Sequence, residues 1–219
     1  MFWFWFFFII CFIPLTIMLP TKVIGKFKKD KNKGAIVISN HYSNFDAIVL
    51  TVKLHKRISF LGKKELVKGR LSKWFFESVT GAIIVDRGAA DIKATKKILG
   101  LLKENKPVGV FPEGTRNQSE EDKFEAKNGV CMFAIKSKTP ITPMWIVRKP
   151  KVFRKNVILI GESFELSEFY NEKLTKEVLD KASIIITEKM MDLKKAYEEK
   201  MLEKEVIKKL KKDKKINKK

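Results

Sequence analysis

The chain contains two histidines. His41 stands five residues before an aspartate, in the stretch Asn40-His41-Tyr42-Ser43-Asn44-Phe45-Asp46. An imidazole that gives one ring N–H to a carboxylate has its tautomer fixed, which leaves the other nitrogen to accept a proton from a substrate. The spacing sets a condition on the backbone. Five residues on one helix turn through about 500°, leaving the two side chains roughly 140° apart. They meet only if His41 is still in a loop while Asp46 is in the first helical turn. Ser43 is placed to cap such a helix. Asp46 also fits a simpler role, an acidic residue favoured at a helix N-terminus by the dipole.

A second group is Phe111-Pro112-Glu113-Gly114-Thr115-Arg116. The proline stops a strand and Gly114 frees the backbone for a tight turn. Thr115 and Arg116 then offer a hydroxyl and a guanidinium beside backbone N–H groups. That combination suits a phosphate monoester, to which the arginine fork makes two charge-assisted bonds. The same residues also make an ordinary polar turn with one salt-bridged arginine. Lys63 and Lys64 follow another strand end, as an anion site or as a solvated surface. His55 has no acidic residue within five positions and reads as a surface histidine.

Both groups need a scaffold that brings them to one place. Short apolar, β-branched runs predict strands over 35–38, 58–62, 81–87, 108–111, 141–147 and 157–160. Helical patterns fall after Asp46, over 71–79, 91–103 and 129–138, and from about 173 onward. This alternation predicts an α/β fold, a central mixed or mostly parallel sheet flanked by helices. His41 and the 113–116 turn each follow a strand, so both are expected at one edge of the sheet, where open α/β sheets bind ligands.

Residues 35–170 are the expected α/β domain, joined by a basic connector (21–34) to an apolar segment (1–20) and followed by a basic helical segment (171–219). Met1 to Leu19 carries no charged residue. As a helix it would be about 28 Å long, near the roughly 30 Å of a bilayer's hydrocarbon core. Trp3 and Trp5 suit a membrane interface, and Pro14 and Pro20 allow a kinked segment entering one leaflet instead of a span. Lys22, Lys26, Lys28 and Lys29 place the rest of the chain on the cytoplasmic face by the positive-inside rule. A membrane anchor is therefore expected.

The formal charge of +21, from 46 Lys+Arg against 25 Asp+Glu, calls for an anionic partner. The last twenty residues alone hold ten lysines against Glu203, Glu205 and Asp213, suited to an anionic membrane surface. No nucleic-acid reader motif accompanies the charge, so nucleic acid is not the expected partner. Two cysteines, Cys11 and Cys131, and two histidines give no metal-site spacing and no disulfide framework, so no metal is expected.

Four separated blocks resemble the glycerolipid acyltransferase family, in particular its bacterial 1-acyl-glycerol-3-phosphate acyltransferases. They are Asn40-His41 through Asp46 (N-H-x-x-x-x-D), Gly81-Ala82-Ile83-Ile84-Val85-Asp86-Arg87, Phe111 to Arg116, and Thr139-Pro140-Ile141-Thr142-Pro143. Lys63-Lys64-Glu65-Leu66 and Lys127-Asn128-Gly129 are also similar to family segments, whereas the acidic run over 117–122 departs from the pattern. The resemblance implies acyl transfer from acyl-coenzyme A or acyl carrier protein to the free hydroxyl of lysophosphatidic acid, giving phosphatidic acid. In that reading His41 is the general base and Asp46 orients it. Arg116, with Arg87 and Lys63 or Lys64, holds the acceptor phosphate. Glu113 positions the glycerol, Gly114 lets the loop approach it, and Thr115 belongs to the same substrate-binding set. No cofactor and no acyl-enzyme are implied, because the acceptor hydroxyl attacks the thioester itself. Glycerol 3-phosphate or another lysophospholipid is an alternative acceptor. A non-catalytic membrane adaptor is the alternative of another class.

Overall fold

The computed structural model describes residues 2–28, 30, 32–43, 45–85, 91–116 and 124–216. Seven strands form one sheet: β1 (Thr21–Ile24), β2 (Ala35–Ser39), β3 (Ser59–Lys63), β4 (Ile83–Val85), β5 (Pro107–Val110), β6 (Ile141–Ile146) and β7 (Asn156–Ile160). Their order is β1-β7-β6-β2-β5-β3-β4, and every pairing is parallel except β6 with β7. The expected mixed, mostly parallel sheet is therefore present. β2 and β6 are buried along their whole length, as unbroken apolar runs covered on both faces should be.

Alternation along β2 divides the core in two. Ile36 and Ile38 face one layer of helices. These are α5 (Ile92–Lys103), α6 (Asn128–Ser137) and the first half of α7 (Lys176–Ile216), packed through Ala94, Ile98, Val130, Ala134, Ala182 and Ile186. Val37 faces the opposite layer, where Val49 and Leu50 of α3 (Asp46–Leu54) pack with Phe60, Ile146 and Leu19. α5 begins where expected, with the Asp91 carboxylate accepting the Ala94 N–H at 2.9 Å.

The connector expected over 21–34 is not all linker. Its first residues form β1, an edge strand paired with β7 from Thr21↔Asn156 to Ile24↔Leu159. Lys22 hides this strand in the sequence: burial along β1 alternates between half-buried and exposed, so only every second residue needs to be apolar.

Ahead of β1, helix runs without a break through α1 (Phe2–Phe7), a π-helical stretch (Phe8–Phe12) and α2 (Ile13–Met18). The widened turns lie immediately before Pro14, which has no N–H to return to the preceding turn. Phe4 and Phe8 are buried with Val52 and pack on Ile48 of α3. Trp3, Phe6, Ile9, Ile10 and Ile17 are exposed. Beside this segment lies α4 (Arg70–Trp74), continued by π-helical Phe75–Thr80, where helix is expected. Trp74 meets Trp3 at 5.9 Å and Phe7 at 6.2 Å between ring centroids. Among the described residues no helix is long and apolar enough to cross a membrane.

One glycine controls how β3 and β5 pack. Gly109 of β5 lies opposite Phe60 of β3, and a Cβ at 109 would overlap the Phe60 ring. Gly109→Ala should therefore force Phe60 aside, at a cost of about 1–3 kcal/mol. A urea-unfolding midpoint equal to wild type would contradict this.

Candidate functional site

The site lies beyond the carboxyl ends of β2, β5 and β3, three neighbours in the sheet. β2 delivers Asn40 first. Its side chain extends the pairing with β6: Nδ2 donates to the Ile146 carbonyl at 2.9 Å and Oδ1 accepts the Ile146 N–H at 2.8 Å. These bonds are buried, so they fix where the following loop starts.

His41 comes next, in the loop, and Asp46 opens α3, the arrangement that the spacing requires. His41 Nδ1 lies 2.9 Å from Asp46 Oδ2. The same oxygen accepts the N–H groups of Tyr42 and Ser43, each at 2.7 Å. Asp46 is fully buried, and a carboxylate taking three donors is an acceptor, so Nδ1 carries its proton towards Asp46. Nε2 is then the ring nitrogen left with a lone pair. The expected cap is corrected: Phe45, with no side-chain cap bond, precedes the helix. Ser43 Oγ accepts the Phe45 N–H at 3.3 Å. Asp46 turns backward over the loop instead, where its charge meets both the imidazole and the loop amides.

Glu113 holds His41 from the other side. Its Oε2 accepts the His41 backbone N–H at 3.0 Å. Phe111 then lies flat against the imidazole, with centroids 4.0 Å apart and planes 15° apart, and Phe60 stacks on Phe111 at 5.2 Å. The ring that bears Nε2 is thus fixed by a carboxylate at its edge and an aromatic plane against its face.

Past Phe111 the chain turns as expected. The Gly114 N–H returns to the Phe111 carbonyl at 3.0 Å, and Gly114 has φ +70°, the left-handed region that glycine enters without a steric cost. Thr115 and Arg116 follow, both exposed. Lys127 joins them: its N–H donates to the Pro112 carbonyl at 3.1 Å, and a Cβ on Gly114 would sit 3.3 Å from its Nζ. Lys63 ends β3 at this same edge and Lys64 opens the 3-10 turn after it, both exposed, because β3 pairs directly with β5. Arg87 and Asp86 lie outside the described residues, as does the acidic run over 117–122. His55 is exposed, as expected, and caps α3 in a left-handed conformation with φ 50°.

Sequence reasoning left Asn40, Phe111 and Lys127 without roles. Each stood inside a recognised block. Their work, however, is done on Ile146, His41 and Gly114, and those partners are set by strand order. A phenylalanine continuing an apolar strand reads as core.

Two kinds of chemistry are available here. An oriented imidazole can take a proton from a hydroxyl, and a glycine turn beside Arg116 and Lys127, with Lys63 and Lys64 at the same sheet edge, can receive an anion. The chain belongs to the acyltransferase family, whose model matches residues 20–147. Relatives include the 1-acyl-sn-glycerol-3-phosphate acyltransferase of Borreliella burgdorferi, 27% identical over 176 residues, covering 72% of this chain and 68% of that protein. The enzyme of the same name from Helicobacter pylori is 34% identical over 149 residues, covering 65% of this chain and 59% of that one. The fold is similar to the crystal structure of the 1-acyl-sn-glycerophosphate acyltransferase of Thermotoga maritima. The TM-score is 0.58 with 22% identity, over 82% of this chain and 73% of that one.

The Phe111 ring should matter to rate more than to binding. Phe111→Ala, which leaves the imidazole plane unsupported, should lower kcat for acyl transfer on the order of 10²-fold with KM little changed, and Phe111→Tyr should restore it. Equal activity of the alanine and tyrosine variants would contradict the role. Asp46→Asn, which removes the buried charge facing Nδ1, should cost on the order of 10² to 10⁴ in kcat; a wild-type kcat would show that Asp46 only holds the loop.

Proposed function

We propose that this protein is a 1-acyl-sn-glycerol-3-phosphate acyltransferase, moving a fatty acyl group from acyl-coenzyme A or acyl carrier protein to the free hydroxyl of lysophosphatidic acid. The observation that carries this reading is the His41 imidazole, with Nδ1 on Asp46 and its face on Phe111. The names of its relatives supply the substrate class. His41 Nε2 takes the hydroxyl proton as the oxygen attacks the thioester carbonyl. The tetrahedral intermediate then collapses, the carbon–sulfur bond breaks, and the imidazolium returns the proton to the departing thiolate. The products are phosphatidic acid and a free thiol, with no acyl-enzyme and no cofactor beyond the thioester.

Arg116, Lys63 or Lys64, and Arg87 bind the acceptor phosphate in this proposal, joined by Lys127. Glu113 and Gly114 face the glycerol, and Thr115 offers its hydroxyl to the phosphate. The N-terminal helix anchors the protein at the cytoplasmic face of an anionic membrane. One side of this helix is buried on α3, so it lies in one leaflet rather than spanning the bilayer. Acceptor and product are both lipids, so a site held at the interface meets them without drawing a chain into water.

The test is acyl transfer by membranes carrying wild type or His41→Ala, offered lysophosphatidic acid and glycerol 3-phosphate side by side. Phosphatidic acid should form from the first acceptor, with a His41→Ala rate lower by about 10² to 10⁴. Transfer to glycerol 3-phosphate alone would change the substrate and keep the chemistry. Undiminished transfer by His41→Ala would remove His41 as base, and no transfer from either thioester would favour the adaptor.

A further inference from the structure

The turn between β6 and β7 is unusual for a loop with no part in the site. From Arg148 to Lys155 it carries five cations (Arg148, Lys149, Lys151, Arg154 and Lys155) and no acid. At its tip are two apolar residues, Val152, 50% exposed, and Phe153, 75% exposed. A loop with only to turn around exposes polar side chains there.

This tip is held rigidly. Asn156, 2% exposed, lies beneath it. Its Oδ1 accepts the Lys151 N–H at 3.0 Å, and its Nδ2 donates to the carbonyls of Arg154 at 2.9 Å, Lys151 at 3.2 Å and Pro20 at 3.5 Å. Phe153 has φ 55°, a conformation that bulky side chains rarely adopt. Its N–H donates to the carbonyl of Met18, the last residue of α2, at 2.6 Å. Ile17 and Met18 are themselves exposed at 69% and 40%. The apolar tip and the exposed end of the N-terminal helix are thus joined by a backbone bond, with cations around them.

We propose that the 148–155 turn is a second membrane contact, with Val152 and Phe153 entering the interface and the five cations lying on anionic headgroups. The inference rests on the reading of the N-terminal helix as an interfacial anchor. An apolar point inside a basic ring matches a surface that is apolar below and anionic above. A second copy of this turn would set five cations against five. Continuity with Ile17 and Met18 favours lipid over an acidic protein, because one flat partner covers both. Two contacts fix the rotation of the domain about the helix axis, which one helix lying in the plane leaves open.

The test uses the full chain with Cys11→Ser and either Phe153→Cys or Ile10→Cys, labelled with an environment-sensitive fluorophore. Cys131 is buried and its thiol is pushed up to about 12 by that burial, so it stays unlabelled at neutral pH. On vesicles of phosphatidylcholine with phosphatidylglycerol, nitroxide lipids should quench both labels. Quenching at 153 should weaken on phosphatidylcholine alone. Quenching at 10 but not at 153 overturns the second contact and keeps the anchor, whereas quenching at neither overturns both. Protection of 153 that grows with protein concentration, without vesicles, would assign the tip to self-association and overturn the proposal.

As an unlabelled check, Val152→Ser with Phe153→Ser should weaken binding to the anionic vesicles about tenfold. Unchanged vesicle binding with impaired use of acyl carrier protein would overturn the membrane role and give the turn to a protein partner.

Discussion

One oxygen, Asp46 Oδ2, collects the N–H groups of His41, Tyr42 and Ser43, and the orientation of the imidazole depends on it. The loop between β2 and α3 has no regular structure to satisfy its own donors, and buried donors without partners are costly. A carboxylate brought back from the first helical turn satisfies them and, with the same charge, turns the imidazole. The main chain of His41 is tied separately, to Glu113. That second tie depends on the sheet. β2 and β5 are paired up to Ile38↔Val110, so the residues leaving those two strands emerge side by side.

Aromatic packing adds the third direction. The sequence Gly109, Phe60, Phe111, His41 is a column of contacts running from the middle of β5 to the reactive ring. The absence of a side chain at 109 lets Phe60 lie against the strand, and Phe60 in turn sets the height of Phe111. A small residue well inside the sheet therefore helps to decide where the imidazole plane stands. The other half of the candidate site is built differently, from exposed cations around a glycine turn.

The strands on either side of His41 and Phe111 were legible because buried parallel strands are largely apolar, and α5 was legible from its period. The His41–Asp46 meeting was legible as a condition on where the helix starts. Three features were not. β1 is short, at an edge and half polar, so nothing in Thr21–Ile24 marks it as a strand. Ser43 looked like a cap because serine commonly is one, but the helix starts only at Asp46, whose carboxylate turns back onto the N–H groups of Tyr42 and Ser43. Asn40 and Phe111 act on Ile146 and His41, distant in sequence, and strand order alone supplies that information.

The pairing of β1 with β7 also bears on how the chain is made. Thr21 meets Asn156 and Ile24 meets Leu159, so the strand that follows the apolar helix has no partner until the far side of the domain has left the ribosome. At roughly 5–20 residues per second, that interval is on the order of ten seconds. Throughout it, the strand after this uncharged run rich in Phe, Trp and Ile lacks β7, and only α3 and α4 are there for the helix to pack on. Early capture of the nascent helix by a lipid surface or a chaperone would then precede folding, and the sheet would close last, at its outermost strand, on a chain already tethered.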